Sequence, residues 1–508
     1  MEASAMNLMT KDEFFRAVAM WGIAMCVLAS AAGWVFMRFG QAWSIADLPE
    51  SGFVEQIVPA YVVMEVAMIP VGGKLIDRYG CRPLLAVAPF LYIVGSMLCM
   101  VSPLVGLLVM FRLLQGTGAG LMLAIAFTLP AKFYEPDRRA KCNELMTGAF
   151  AIGSLFGSAM GYFLTDTFNW RAGFVVFSAL MLVGFVLAWF FMPKEDVVIT
   201  KPDLIGLVLV GMVFGLATMY TQMVTVNFDL ISFPSLFFVI VIVILTILLM
   251  GHSYKSDDPA VPTHTSYFHV VMTLLMFMFS LCGLGLIQYF FKLYLTFYEF
   301  DIYRASLMFL VMLCGAAITS MCGSRFIYRT GARPWIITGS AIVTIALMLT
   351  NLIADKGVVW MGVSLFVFGF GLGCIVTQIL CALQSLMPKE DAGLHTCNLM
   401  AVRMIGIMAG SSLIGSYIST VLRTHRGETV VDLSASDNVI RTMTETLMEG
   451  LDYVANTLDN GFITTAIVLA MVTSLLTVLA HTLGKDDVEA LEEYHRQKET
   501  QSEETEEE

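Results

Sequence analysis

Apolar residues in this chain run in long unbroken blocks rather than in the alternation of a half-buried strand or the stripe of a surface helix. A helix crossing about 30 Å of hydrocarbon needs roughly 20 mostly apolar residues. Fourteen stretches of that kind are read along the chain, at 15–39, 53–75, 83–102, 104–131, 141–164, 170–192, 203–224, 231–250, 268–297, 303–327, 334–353, 357–386, 395–422 and 460–483. Short polar segments separate most of them, and the pattern predicts an all-α integral membrane protein with 14 transmembrane helices.

Composition agrees. Of 508 residues 57% are hydrophobic and 14% charged, where soluble proteins carry about 25% charged residues. The net charge of −12 is concentrated at one end: the tail from Lys485 to Glu508 holds 11 carboxylates against three bases. Such a run reads as a solvated end, and nucleic acid is not an expected partner. The ten cysteines form no Cys-x-x-Cys pair and sit in apolar sequence as small hydrophobes, so no metal site is expected. No phosphate-cradling glycine loop and no nucleophile beside a base is visible, so neither a cofactor nor an enzyme is expected.

Lys and Arg orient the spans. With the amino terminus cytoplasmic, inside segments hold 19 basic residues and outside segments six, three of these (Arg423, Arg426 and Arg441) in or at the edge of the long outside loop 424–458. An even number of spans returns the carboxyl terminus and its acidic tail to the cytoplasm. A multi-pass protein of the cell membrane, probing both aqueous faces, is the expectation.

Once the Lys and Arg of the inside and outside segments are assigned, four basic residues remain within spans, Arg38, Arg112, Lys292 and Arg403, and with Glu65 in the second span they are the sharpest features of the sequence. Each costs at least about 2.5–3.5 kcal/mol at membrane depth, so each should face a partner or an aqueous cavity. Glu65 is the carboxylate deep in the amino-terminal half, and such a group is neutral when desolvated and charged when wet. It is therefore the candidate for proton coupling, with Arg112 and Gln115 as its polar response. A fixed, non-titrating role is the alternative reading. Lys292 stands among aromatics with Gln288 and Tyr289, a setting suited to an anionic or amphipathic aromatic substrate. With Arg38 and Arg403 these are the substrate-cavity candidates; pairing of Lys292 with Glu299 and snorkelling of Arg38 are the alternatives.

The inside loop after the second span recurs after the tenth at an offset of 251 residues: Gly72, Arg78, Gly80, Arg82 and Pro83 match Gly323, Arg329, Gly331, Arg333 and Pro334. Paired halves of this kind mark transporter folds. The expected organisation is a cytoplasmic segment 1–14, a six-helix bundle 15–192, two interposed helices 203–250, a second six-helix bundle 268–483 and the tail 484–508.

These residues resemble the major facilitator superfamily, and within it the fourteen-span drug:proton antiporter branch. Gly73-Lys-Leu-Ile-Asp77-Arg78-Tyr-Gly80-Cys81-Arg82-Pro83 looks like the superfamily's loop signature, with Cys81 where a basic residue is usual. Arg112-Leu-Leu-Gln115-Gly116 looks like its Arg-x-x-Gln-Gly motif, associated with proton coupling. Asn169-Trp170-Arg171 and the stretch from Asn398 through Arg403 to Gly410 are also similar to that branch. Gly153, Gly157 and Gly161 make a close-contact helix face like that of the antiporter motif, although Ser158 stands where Pro is usual. Span 1 carries no acidic residue between 27 and 37, where such exporters usually have one.

The resemblance implies alternating access by a monomer, and proton-coupled efflux of hydrophobic or amphipathic small molecules. Gly73, Asp77, Arg78, Gly80, Arg82, Arg329, Gly331 and Arg333 would form the cytoplasmic gate, with Asp77 binding helix N-termini or Arg. A proton-coupled importer of an organic anion or nutrient, and a non-transporting membrane sensor, are the competing readings.

Overall fold

A computed structural model describes residues 11–48, 53, 56–192, 203–224, 232–256, 258–261, 273, 276, 310–320, 330, 333–353, 358–385 and 391–428. Its helices are α1 (Lys11–Asp47), α2 (Ile57–Tyr79), α3 (Cys81–Met100), α4 (Val105–Phe133), α5 (Pro136–Thr167), α6 (Ala172–Phe191), α7 (Leu204–Met223), α8 (Phe233–Ser253), α9 (Leu310–Ser320), α10 (Arg333–Ile353), α11 (Val358–Ser385) and α12 (Ala392–Glu428). Ten helices among the described residues are long and apolar enough to cross a membrane. The ninth expected span, apart from residues 273 and 276, and the fourteenth lie outside the described residues, and α9 is the described part of the tenth. Helices satisfy most of their backbone polar groups internally, as a lipid solvent requires.

The chain divides into two compact units. The first comprises Met1–Gly215, Leu245–Thr263 and Met387–Ala401; the second comprises Leu216–Ile244, His264–Leu386 and Val402–Glu508. In the first, α1 packs against α5 and α6, α4 against α2 and α3, and α3 against α6. Glycine permits these approaches. A Cβ at Gly153, Gly157 or Gly161 of α5 would lie 2.5 to 2.8 Å from the backbone of Leu28, Ala32 or Phe36 of α1. Three glycines four residues apart thus meet three positions four apart on the partner, as close helix contact requires. One residue, Gly80, joins α2 to α3, and its φ of +84° is why glycine is needed there.

At one end of this unit Phe36, Trp170, Phe174 and Phe177 form an apolar cluster with Leu48 and Ile57. The Asn169-Trp170-Arg171 segment closes it. Trp170 Nε1 donates to the Asp47 carboxylate at 3.2 Å, Arg171 pairs with the same carboxylate, and Arg171 Nε donates to the Met100 carbonyl at 3.1 Å. In the second unit α10 packs on α11, and α11 also meets α9.

Candidate functional site

The segment Arg112 to Gly120 of α4 is built so that two helices approach its two sides. A Cβ at Gly116 would stand 2.2 Å from the Tyr61 carbonyl oxygen, and one at Gly120 2.2 Å from that of Glu65, both on α2. On the other side a Cβ at Gly118 would stand 2.4 Å from the Tyr92 nitrogen of α3. Arg112 and Gln115, one turn earlier, are consequently sunk among α1, α2 and α3, and neither has exposed surface.

The Arg112 guanidinium donates from one Nη to the Gly33 carbonyl of α1 at 3.1 Å and to Gln115 Oε1 at 2.8 Å. Its Nε points to the Ile57 carbonyl at 3.4 Å, and its central carbon lies over the Tyr61 ring, 4.5 Å from the centroid. Gln115 Nε2 passes the chain on to Ser96 Oγ of α3 at 2.7 Å. Tyr61 and Tyr92 donate their hydroxyls to the Ser30 and Ala29 carbonyls of α1, at 2.8 and 2.9 Å. One polar network therefore ties four helices together inside an apolar bundle.

Glu65 lies one turn from Tyr61 on the same face of α2 and is fully buried. Neither of its carboxylate oxygens has a hydrogen-bond partner, and the second Nη of Arg112 also lacks an acceptor. Ser30 and Arg112 are its polar neighbours. The sequence brings Glu65, Arg112 and Gln115 into one network, but the Arg112 side chain is spent on Gln115 and on backbone carbonyls rather than on a direct ion pair with Glu65. A buried carboxylate without donors is costly, and the arrangement suits a group that binds and releases a proton or a polar ligand.

The carboxyl-terminal end of α2 carries a second constellation. A Cβ at Gly73 would lie 2.4 Å from the Gly393 carbonyl of α12, so α2 and the start of α12 touch backbone to backbone. Asp77 accepts the N–H groups of Gly393 and Leu394 at 2.9 and 2.7 Å, filling two of the orphan donors that every helix amino terminus presents. Lys132 of α4 stands 3.2 Å from the same carboxylate. Arg78 and Lys74 both pair with Asp258, in the segment after α8. Arg82 lies over the Trp189 ring of α6 at 5.2 Å.

Arg403 is buried in the second unit. Arg38 lies in α1 and Arg333 opens α10, but their side chains are outside the described residues, as are Gln288, Tyr289, Lys292, Arg329 and Gly331 altogether. Sequence reading singled out none of Ser30, Tyr61, Tyr92, Ser96 and Asp258. Tyr61 was accessible through its four-residue spacing from Glu65, and Asp258 as an acid close in sequence to a basic segment; the other hydroxyls carry no such signal.

The family model of the Major Facilitator Superfamily matches residues 19–416. A multidrug transporter protein, MdtP, of Bacillus subtilis (strain 168) is 22% identical over 415 residues, 80% of this chain and 75% of that protein. Multidrug resistance protein 3 of the same organism is 23% identical over 410 residues, 79% of each. The crystal structure of the human organic anion transporter MFSD10 superposes with a TM-score of 0.59 at 13% identity, covering 90% of this chain and 99% of that one, a likeness of fold. With the matched model spanning the helices that carry the buried network and the α2 end, the chain belongs to the Major Facilitator Superfamily of membrane transporters.

Proposed function

We propose that the protein is a proton-coupled exporter of hydrophobic or amphipathic small molecules, working as a monomer by alternating access in the cell membrane. The observation that carries the reading is Glu65, a fully buried carboxylate with no hydrogen bond beside an arginine with a free donor. Neutral, Glu65 fits its apolar surroundings; once water reaches it, ionisation becomes favourable. A site that alternates between those conditions exchanges one proton per cycle, and a substrate that occupies or dries it competes with that proton. The multidrug relatives support a cargo defined by apolar surface rather than by one functional group. Both termini lie on the cytoplasmic side in this reading, which follows from the Lys and Arg distribution.

The test is proton movement in proteoliposomes with an internal pH dye, challenged with lipophilic cations, aromatic anions and amino acids. Wild type is expected to move protons against the substrate gradient, and Glu65→Gln to fall to the level of protein-free liposomes. Flux unchanged in the variant would remove Glu65 from coupling. Flux in the direction of substrate would make the protein an importer, the reading to which the acid-free span 1 points.

A further inference from the structure

The interposed helices are not passive lodgers on the first unit. Gly211 and Gly215 of α7 lie against α2, with Val71 Cγ2 3.5 Å and Ala67 Cβ 3.3 Å from the positions their Cβ atoms would take. Val210, Leu249 and Ala260 form an apolar cluster with Val71, and this cluster carries the segment after α8 to the end of α2. There Asp258 receives Lys74 Nζ and both Arg78 Nε, at 2.7 Å, and an Arg78 Nη. Lys74 is 1% exposed, so water cannot substitute for this carboxylate.

Asp77 stands between these two cations in sequence, three residues from Lys74 and next to Arg78. Lys74 and Arg78 continue the α2 row Val63, Ala67, Val71 toward the interposed helices, whereas Asp77 continues from Gly73 toward α12. Asp77 is already committed to two α12 N–H groups and to Lys132. Asp391 lies within electrostatic range of Arg78 but makes no ion pair with it among the described residues. Deprived of Asp258, a desolvated Lys74 and its neighbour would turn to Asp77, and charge-assisted bonds to cations outcompete those from backbone N–H groups.

We propose that Asp258 is a positioning residue for the cap on α12: by occupying Lys74 and Arg78 it reserves the Asp77 carboxylate for the α12 amino terminus. The interposed helix pair thereby takes part in holding α2 on α12. This inference stands whether or not Glu65 couples protons.

Cys397 reports on the contact. It is fully buried one turn into α12, its Sγ 3.3 Å from the Thr128 hydroxyl and its Cβ 2.6 Å from the position of a Cβ at Gly73. The experiment measures the rate at which N-ethylmaleimide modifies Cys397 in the full-length protein in membrane vesicles, read by peptide mass spectrometry. Asp258→Asn is expected to raise the rate at least about fivefold, the lower end of ordinary coupling between sites. Asp258→Glu should keep it slow. The triple variant Lys74→Gln/Arg78→Gln/Asp258→Asn should return to the slow rate, because no cation then competes for Asp77. An unchanged rate in Asp258→Asn overturns the proposal. So does a triple variant as fast as Asp258→Asn, which would mean that Asp258 merely anchors the segment after α8. Should Asp258→Asn fail to accumulate, the triple variant is compared with Lys74→Gln/Arg78→Gln; equal slow rates support the proposal and a faster triple variant refutes it.

Discussion

Arg112 is held by contacts that suit a planar fork and not a point charge. It reaches a carbonyl of α1, a carbonyl at the start of α2 and the amide of Gln115, and it lies over the Tyr61 ring. A lysine at 112 keeps the charge but has neither the reach in three directions nor the flat face, and stacking of a desolvated cation on an aromatic ring alone contributes about 0.5–2 kcal/mol. Arg112→Lys is therefore expected to insert normally but to lose about tenfold or more in initial transport rate, a loss of about 1.4 kcal/mol or more of productive geometry. Rates in proteoliposomes, normalised to inserted protein, check this. A variant as fast as wild type would show that charge alone matters at 112. Glu65, Arg112 and Gln115 were legible in the sequence because a charge deep in an apolar run is anomalous. Ser30, Tyr61, Tyr92 and Ser96 were not, because a hydroxyl in a membrane helix can satisfy itself on a neighbouring carbonyl and is therefore an unremarkable residue until the partner helix is in place.

Packing repeats between the two units at the level of whole helices. A Cβ at Gly116, Gly120 or Gly118 meets Tyr61, Glu65 or Tyr92, and one at Gly369, Gly373 or Gly371 meets Met312, Ala316 or Val343. Each later target lies 251 residues after its counterpart, the offset already visible in the two inside loops, and each later glycine lies 253 after its own. The steric template is the same, but the chemistry is not: Leu365 and Phe368 take the places of Arg112 and Gln115, and Ala316 that of Glu65, so the polar network belongs to the first copy. Gly120→Ala and Gly373→Ala should each lower stability by about 1–3 kcal/mol, since backbone must move to admit the methyl group. Gly148→Ala, where a Cβ would meet nothing within 4 Å, should be neutral or slightly stabilising. Thermal unfolding midpoints in detergent decide; equal shifts for all three would mean that these contacts are not tight. The apolar runs located the described helices well but misjudged their ends. The first was read as 15–39 and is Lys11–Asp47, because hydropathy marks the hydrocarbon and backbone hydrogen bonding continues past it into the polar zone. That Asp77 meets a helix amino terminus was expected from the resemblance, but which helix was not legible, since two small residues and two backbone N–H groups leave no pattern in a sequence.

Ion clusters stand near the two ends of α2, whose 23 residues measure about 34 Å. At one end the hydrogen bonds from Arg171 and Trp170 hold the Asp47 carboxyl below the ordinary carboxylate range. At the other, burial pushes Asp258 up, but the bonds from Arg78 and Lys74 more than offset it and the carboxyl again ends below that range. A carboxylate whose folded value is depressed contributes stability above its unfolded value, near about 3.9, and loses that contribution as pH falls through the folded value. Asp47→Asn and Asp258→Asn should therefore lower the unfolding midpoint by amounts that stay constant from about pH 5 to about pH 7, with the gap to wild type closing only below about pH 4. Thermal unfolding of the three proteins across that range tests the claim. A gap that varies between pH 5 and 7 would place a titrating group in one of the end clusters. A constant gap means that neither Asp47 nor Asp258 changes its ionisation between pH 5 and pH 7, so that each ion pair keeps its full strength over that range.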